Sequence, residues 1–110
     1  MKVSRLMSAR EFKAYMEGKT IRPLHDWSGS QNNTIDGKVV CFAPSDESWY
    51  VLECLNNGNG YIFATFEINA KHLSLGTGWY MGEPCTEYYA GFYNKRIAKL
   101  VGYQKIARWD

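Results

Sequence analysis

Residues 3–19, VSRLMSAREFKAYMEGK, place a short alternating segment directly before a capped amphipathic helix. Ser8 and Glu11 form a Ser-x-x-Glu capping box, which predicts a helix from about Ser8 to Glu17. Gly18 then supplies the helix stop. The apolar residues that recur at helical spacing are Phe12, Tyr15 and Met16.

The alternating segment before the helix predicts a short strand with Arg5 on an otherwise apolar face. Val3 and Met7 share that face with Arg5, whereas Ser4 and Leu6 point the other way. The free-energy cost of burying an unpaired guanidinium is prohibitive. We therefore expect Arg5 to find an acceptor.

Three further strands are predicted downstream, in KVVCFAP from Lys38, WYVLECL from Trp49 and YIFATFEIN from Tyr61. The segment NNGNG at residues 56–60 joins the last two and is a strong hairpin signal, because Asn and Gly tolerate positive φ. On the last of these strands, one face is the better candidate for the core. Its residues are Ile62, Ala64, Phe66 and Ile68.

The remaining sequence after residue 68 predicts less regular structure. NAKHLSLGTG reads as a brief helical turn capped by Asn69, followed by a glycine-flanked loop. RIAKLVGYQKIARWD is either a strand pair broken at Gly102 or a weak helix, and we favour the strands. Charged residues would protect an edge there, at Lys99, Lys105 and Arg108.

These elements predict an α+β fold: one compact domain with a mainly antiparallel sheet of about five or six strands and one N-terminal amphipathic helix. Residues 24–37, LHDWSGSQNNTIDG, interrupt it as a long loop, either a binding loop or a mobile excursion. Trp27 in that loop favours contact with a partner, a ligand or the core of the domain.

Composition excludes several functional classes. The 110 residues are 45% hydrophobic and carry a net charge of +2, which is too balanced to favour nucleic acid as a direct partner. No apolar run approaches the roughly 20 residues of a membrane span, so we expect a soluble cytoplasmic protein without a membrane partner. Cys41, Cys54 and Cys85 lack metal-ligand spacing, and no metal site is predicted.

The second half of the chain concentrates aromatic residues around one acid. The sequence GWY at residues 78–80 precedes TEYYAGFYN, which contains Glu87. Aromatic faces stack on flat ligands, and a carboxylate fixes a hydroxyl or cation at their edge. We therefore predict a cleft around Glu87. The alternative is that the rings build a core and Glu87 points to solvent.

The sequence also presents, in order, SRL at residues 4–6, EGK at residues 17–19, VVCF, FEI, GTGWY and EYY. This order resembles small bacterial and phage proteins with an ADP-ribosyltransferase-like fold. The resemblance implies NAD as cofactor, with Arg5 as its anchor and Glu87 as the catalytic carboxylate. It also implies that Trp79 and Tyr80 flank the nicotinamide. Two features depart from that family: a Ser-Thr-Ser triplet is absent, and Cys85 stands where a second acid or amide is often found.

A second hypothesis is a non-enzymatic protein that blocks a host or bacterial protein with an aromatic surface. Aromatic anchors supply large contact area at low entropic cost. Phage-encoded inhibitors of host defence, including anti-CRISPR proteins, are often small domains of this size and composition. The candidate partner-binding residues are Trp27, Tyr88 and Tyr93.

Overall fold

The computed structural model describes residues 1–22, 34–35, 39–44, 62–80 and 82–105. These residues form one helix of eight residues, seven strands and a short 3-10 helix. In chain order the elements are β1 (Lys2–Met7), α1 (Ala9–Met16), β2 (Thr34–Ile35), β3 (Val39–Pro44), β4 (Ile62–Ile68), the 3-10 helix (Ala70–His72), β5 (Ser74–Tyr80), β6 (Glu83–Ala90) and β7 (Ala98–Lys105).

The strands form one sheet in the spatial order β5-β6-β3-β1-β4-β7, and every pairing is antiparallel. The two-residue β2 pairs with the start of β3. The first strand of the sequence therefore lies in the middle of the sheet. This architecture confirms the predicted α+β domain with an antiparallel sheet and one N-terminal helix.

The helix begins and ends where its capping residues predict. The Ser8 side chain accepts a hydrogen bond of 3.1 Å from the Glu11 backbone N–H, which satisfies one of the free donors of the first turn. Glu17 is the C-cap, and Gly18 follows with φ of 84°, a conformation that costs glycine little.

The core lies between the helix and one face of the sheet. The predicted core face of β4 is confirmed, because Ile62, Ala64, Phe66 and Ile68 are all buried. Aromatic rings from the helix, two strands and the segment after β6 pack together at the centre, with centroids between 5.2 and 6.2 Å apart. These rings belong to Tyr15, Phe42, Phe66 and Tyr93.

Two predictions for the second half need correction. SLGTG is not a loop but most of β5, since its backbone pairs along its whole length with β6. The C-terminal segment is one strand and not a broken pair: the register shifts between Thr65 and Phe66, so that Val101 is an extra residue and β7 continues through Gly102. The capped turn at Asn69 is confirmed by its side chain, which accepts from the Lys71 N–H.

Three predicted elements fall outside the described residues. They are the WYVLECL strand, the NNGNG hairpin turn and most of the 24–37 loop, including Trp27. Within that loop only Thr34 and Ile35 are described, as β2.

The two outermost strands of the sheet differ in charge. β7 carries Lys99 and Lys105, as expected of an edge strand that must not pair with other chains. β5, at the other end of the order, has the sequence SLGTGWY and carries no charged residue and no proline.

Candidate functional site

The hairpin of β5 and β6 holds most of the residues that the sequence nominated. Its register pairs Leu75 with Tyr88, and residues directly opposite each other on antiparallel strands share a face. Alternation along the two strands then assigns six side chains to that face. We call this surface the hairpin patch; its residues are Leu75, Thr77, Trp79, Pro84, Thr86 and Tyr88.

The hairpin patch is apolar and exposed at its outer strand. Leu75 is 73% exposed and Trp79 is 65% exposed, although both belong to residue types that usually pack inside. Tyr88 is half-buried and packs against the core, so the patch is continuous with the core of the domain. Two large apolar side chains on the same face of β5, with Thr77 between them, thus face solvent.

The reverse face of the hairpin carries Glu87 and Tyr89. Tyr89 donates a hydrogen bond of 2.9 Å from its hydroxyl to Oε2 of Glu87. Both side chains fold across the glycines of β5: a Cβ on Gly76 would overlap the Tyr89 ring, and one on Gly78 would overlap the Glu87 carboxylate. Because Gly76 and Gly78 carry no side chain, the Glu87 carboxylate and the Tyr89 phenol can lie against the backbone of β5. Both side chains are half-buried.

Arg5 is buried inside the domain and paired with a helix residue. Its Nε donates to Oε2 of Glu11 at 2.7 Å, and a terminal nitrogen donates to Oε1 at 2.9 Å. Both side chains are almost wholly inaccessible to solvent. The expectation that Arg5 must find an acceptor is confirmed, and the acceptor is the same Glu11 that stands in the capping box.

A third residue completes this buried cluster. The Tyr93 hydroxyl donates to Oε2 of Glu11 at 2.6 Å, and Tyr93 has no exposed surface. Burial raises the pKa of Tyr93 well above 10, and the neighbouring Glu11 charge raises it further while Arg5 acts in the opposite direction. The cluster of Arg5, Glu11 and Tyr93 thus fixes the helix to the centre of the sheet.

Arg5 and Glu87 lie on opposite faces of the sheet. Arg5 lies over the Phe42 ring, with its Cζ 6.0 Å from the ring centroid. Phe42 pairs with Tyr88, so these two share a face and Glu87, the next residue, points to the other face. The structure therefore does not bring Arg5 and Glu87 together in one cleft.

The other nominated residues have different positions. Tyr93 lies in the core, which corrects its expected role at a partner surface, since a side chain without exposed area cannot contact a partner. Trp79 and Tyr88 lie on the hairpin patch, on the face away from Glu87. Tyr80 is the last residue of β5, and only its backbone is described; Trp27 lies outside the described residues.

Two shallow depressions are lined by described residues, and Glu87 lines neither of them. One shallow depression lies between β4 and β7 and another lies beside the helix. The first is lined by Phe63, Thr65, Gly102, Tyr103 and Gln104, and the second by Arg10, Lys13, Ala14, Glu17 and Lys19. Within the described ranges, no group of three His, Cys, Asp or Glu residues could hold a metal ion, and no helix is long and apolar enough to cross a membrane.

Sequence reasoning missed two residues of this arrangement. Leu75 was assigned to a loop because of Gly76 and Gly78, yet Leu75, Thr77 and Trp79 alternate with these glycines at the period of a strand. Glu11 was assigned only to the capping box. Its second role as the partner of Arg5 is also local, because only six positions separate the two residues.

The comparisons with known proteins identify no relative: no protein-family model, no curated protein and no solved structure matches this chain.

Proposed function

We propose that this domain is a non-enzymatic protein-binding module that contacts its partner through the hairpin patch. The observation that carries the proposal is the exposure of Leu75 and Trp79 on the same face of β5. Large apolar side chains held in fixed positions lose little conformational freedom on binding, and tryptophan is enriched among the residues that dominate binding energy.

The charge of the patch indicates what kind of partner surface fits it. Its six residues are all uncharged, so the complementary surface is apolar at its centre. Association with such a surface depends weakly on salt, because charged pairs contribute little to it. The finer form of the proposal is that the partner is a host or bacterial protein that the domain blocks, as a phage-encoded inhibitor of a defence complex would do.

The experiment is capture of partners from a bacterial lysate with the wild-type chain and with Trp79→Ala. Loss of an aromatic anchor is expected to weaken binding by about 2 kcal/mol or more, which removes a stable complex from the eluate. Tyr103→Ala is the matched control, because Tyr103 is also an exposed aromatic residue but lies on β7, at the opposite edge of the sheet.

The two variants together decide the proposal. A specific complex that Tyr103→Ala retains and Trp79→Ala loses supports it, provided that circular dichroism shows both variants folded. A specific complex that Trp79→Ala still captures would show that binding uses another surface, and it would contradict the role of the hairpin patch.

The ADP-ribosyltransferase hypothesis is the second candidate, and one observation favours it. The Tyr89 hydroxyl holds the Glu87 carboxylate in place, as a group that stabilises positive charge on a ribose would need. This hypothesis now rests on Glu87 without Arg5, since the two occupy different faces. It predicts nicotinamide release from NAD that Glu87→Gln abolishes in a folded protein. Equal release by both proteins would remove Glu87 from such a reaction.

A further inference from the structure

We infer that two copies of this chain associate through β5, with the β5 strands antiparallel and Thr77 on the two-fold axis. The product is one continuous sheet that runs through both copies. The inference goes beyond the proposed function, because it concerns a second copy of the same chain and holds whether or not another protein binds the hairpin patch.

Among the described residues, β5 carries none of the sequence features that usually keep a sheet edge from pairing. Within the described ranges, β6 is the only strand that pairs with β5, so β5 is an edge strand of the described sheet. Natural edge strands are usually protected by lysine, proline, bulges or very short length. β5 has seven residues and carries no charge and no proline, whereas β7 carries two lysines and a bulge.

The sequence of β5 also fits a second copy of itself. In an antiparallel pair, directly opposite residues share a face, so residues of the hairpin patch must oppose residues of the hairpin patch. The register centred on Thr77 pairs all seven residues of Ser74–Tyr80, and a shift of the centre to Gly76 or Gly78 leaves unpaired ends. The full-length register is therefore the favoured one.

The full-length register places apolar side chains of the two copies opposite each other. It places Leu75 of each copy opposite Trp79 of the other copy. Thr77 of one copy then lies opposite Thr77 of the other. Leu75 and Trp79 are the two most exposed large apolar residues among those described, and no charge opposes a charge. Aromatic and aliphatic cross-strand pairs stabilise sheets. Because the two-fold axis repeats each contact, the interface is closed and stops at two copies.

Association through β5 would also enlarge the hairpin patch. Edge pairing joins the patches of the two copies on one face of the shared sheet, since Leu75 and Trp79 of both copies then lie in one neighbourhood. A partner protein would meet one apolar surface of double size, symmetric about the Thr77 axis.

The test is analytical ultracentrifugation of the purified chain over a concentration series, with Thr77→Lys, Thr77→Glu and their equimolar mixture. In each single variant, like charges face each other on the axis, so the dissociation constant of the dimer should rise by about tenfold or more. In the mixture, Lys opposes Glu, and a dimer containing one copy of each should form at concentrations where each variant alone is monomeric.

Val101→Lys is the matched control, because Val101 is also exposed but lies on β7, at the opposite edge of the described sheet. It should leave dimerisation unchanged. If a Thr77 variant fails to fold, Leu75→Glu and Trp79→Lys provide a second complementary pair, because the inferred register places positions 75 and 79 of the two copies opposite each other.

A wild-type chain that stays monomeric over the series overturns the inference. A dimer that survives both Thr77 variants, or a mixture that fails to restore association lost in both of them, overturns the β5 register. Partner capture is measured separately with lysate: a wild-type chain that stays monomeric but captures a complex that Trp79→Ala loses would overturn the inference and still support the proposed function.

Discussion

The Tyr93 hydroxyl and the Glu11 carboxylate are 2.6 Å apart, although 82 positions separate them in the sequence. The same carboxylate accepts two hydrogen bonds from Arg5, so one buried acid joins the first strand, the helix and the segment after β6. Glu11 also donates its backbone N–H to Ser8. Formation of the helix thus positions the acid that the rest of the cluster requires.

Removal of the Glu11 carboxylate alone should be strongly destabilising. Glu11→Met leaves the Arg5 guanidinium buried without its acid, and breaking such a pair typically costs about 3–5 kcal/mol. In the double variant Arg5→Met/Glu11→Met, both charges are absent, so we expect a smaller loss. Urea unfolding of the two variants and the wild type measures the difference in the free energy of unfolding.

The control for this prediction is the surface ion pair between Lys19 and Glu17. Its side chains are about half exposed, and Glu17→Gln should change stability by no more than about 1 kcal/mol. A double variant less stable than Glu11→Met would contradict our account of the buried charge.

The buried phenol of Tyr93 predicts a loss of stability at alkaline pH. Its folded-state pKa is raised above 10 mainly by burial, so the unfolded chain releases this proton at lower pH than the folded chain. The corresponding stability is fully present below pH 10 and is lost as the pH rises towards the folded-state pKa. Tyr15, whose pKa burial also raises, acts in the same direction.

The measurement is the free energy of unfolding as a function of pH above 10 for the wild type and Tyr93→Phe. The variant lacks one titrating group, so its slope should be shallower by up to about 1.4 kcal/mol per pH unit. Equal slopes for the two proteins would show that Tyr93 does not hold its proton in the folded state.

The close approach of the Tyr89 ring to Gly76 predicts that the effect of Gly76→Ala on stability depends on Tyr89. A methyl group at Gly76 overlaps the Tyr89 ring, so Gly76→Ala should destabilise the domain by about 1–3 kcal/mol. With Tyr89→Ala already in place the overlap is gone, and alanine should be neutral or stabilising because glycine is a poor strand residue. A double-mutant cycle measured by thermal unfolding gives the coupling. Independent effects of the two substitutions would refute the close approach.

The sequence predicted most of the elements for which the determining interactions are local. Ser8, Glu11 and Gly18 specify the helix by capping, and the period-2 pattern of β4 identifies its core face. β5 was missed because its glycines suppress the apolar pattern, and they are present for a reason that only the neighbouring strand reveals: Tyr89 and Glu87 need the space. The β7 bulge likewise follows from register against β4.

The candidate site could be predicted only in part. The sequence identified Arg5 as a residue that needs an acceptor and placed Trp79 and Glu87 in one aromatic-rich stretch. It could not assign faces across strands, and the separation of Arg5 from Glu87 depends on the pairing of Phe42 with Tyr88. The same pairing determines that Tyr88, and not the adjacent Tyr89, packs towards the core.

The position of β1 in the middle of the sheet has a consequence for how the chain acquires its fold. Its neighbours on either side, β3 and β4, begin at Val39 and Ile62, so the strand at the start of the chain has no partner until those residues are made. Closing such long loops costs entropy before any pairing is gained. Domains dominated by distant contacts fold in milliseconds to seconds, and we expect that slow regime here. A nascent chain that ends before β4 would leave one side of its first strand open to aggregation.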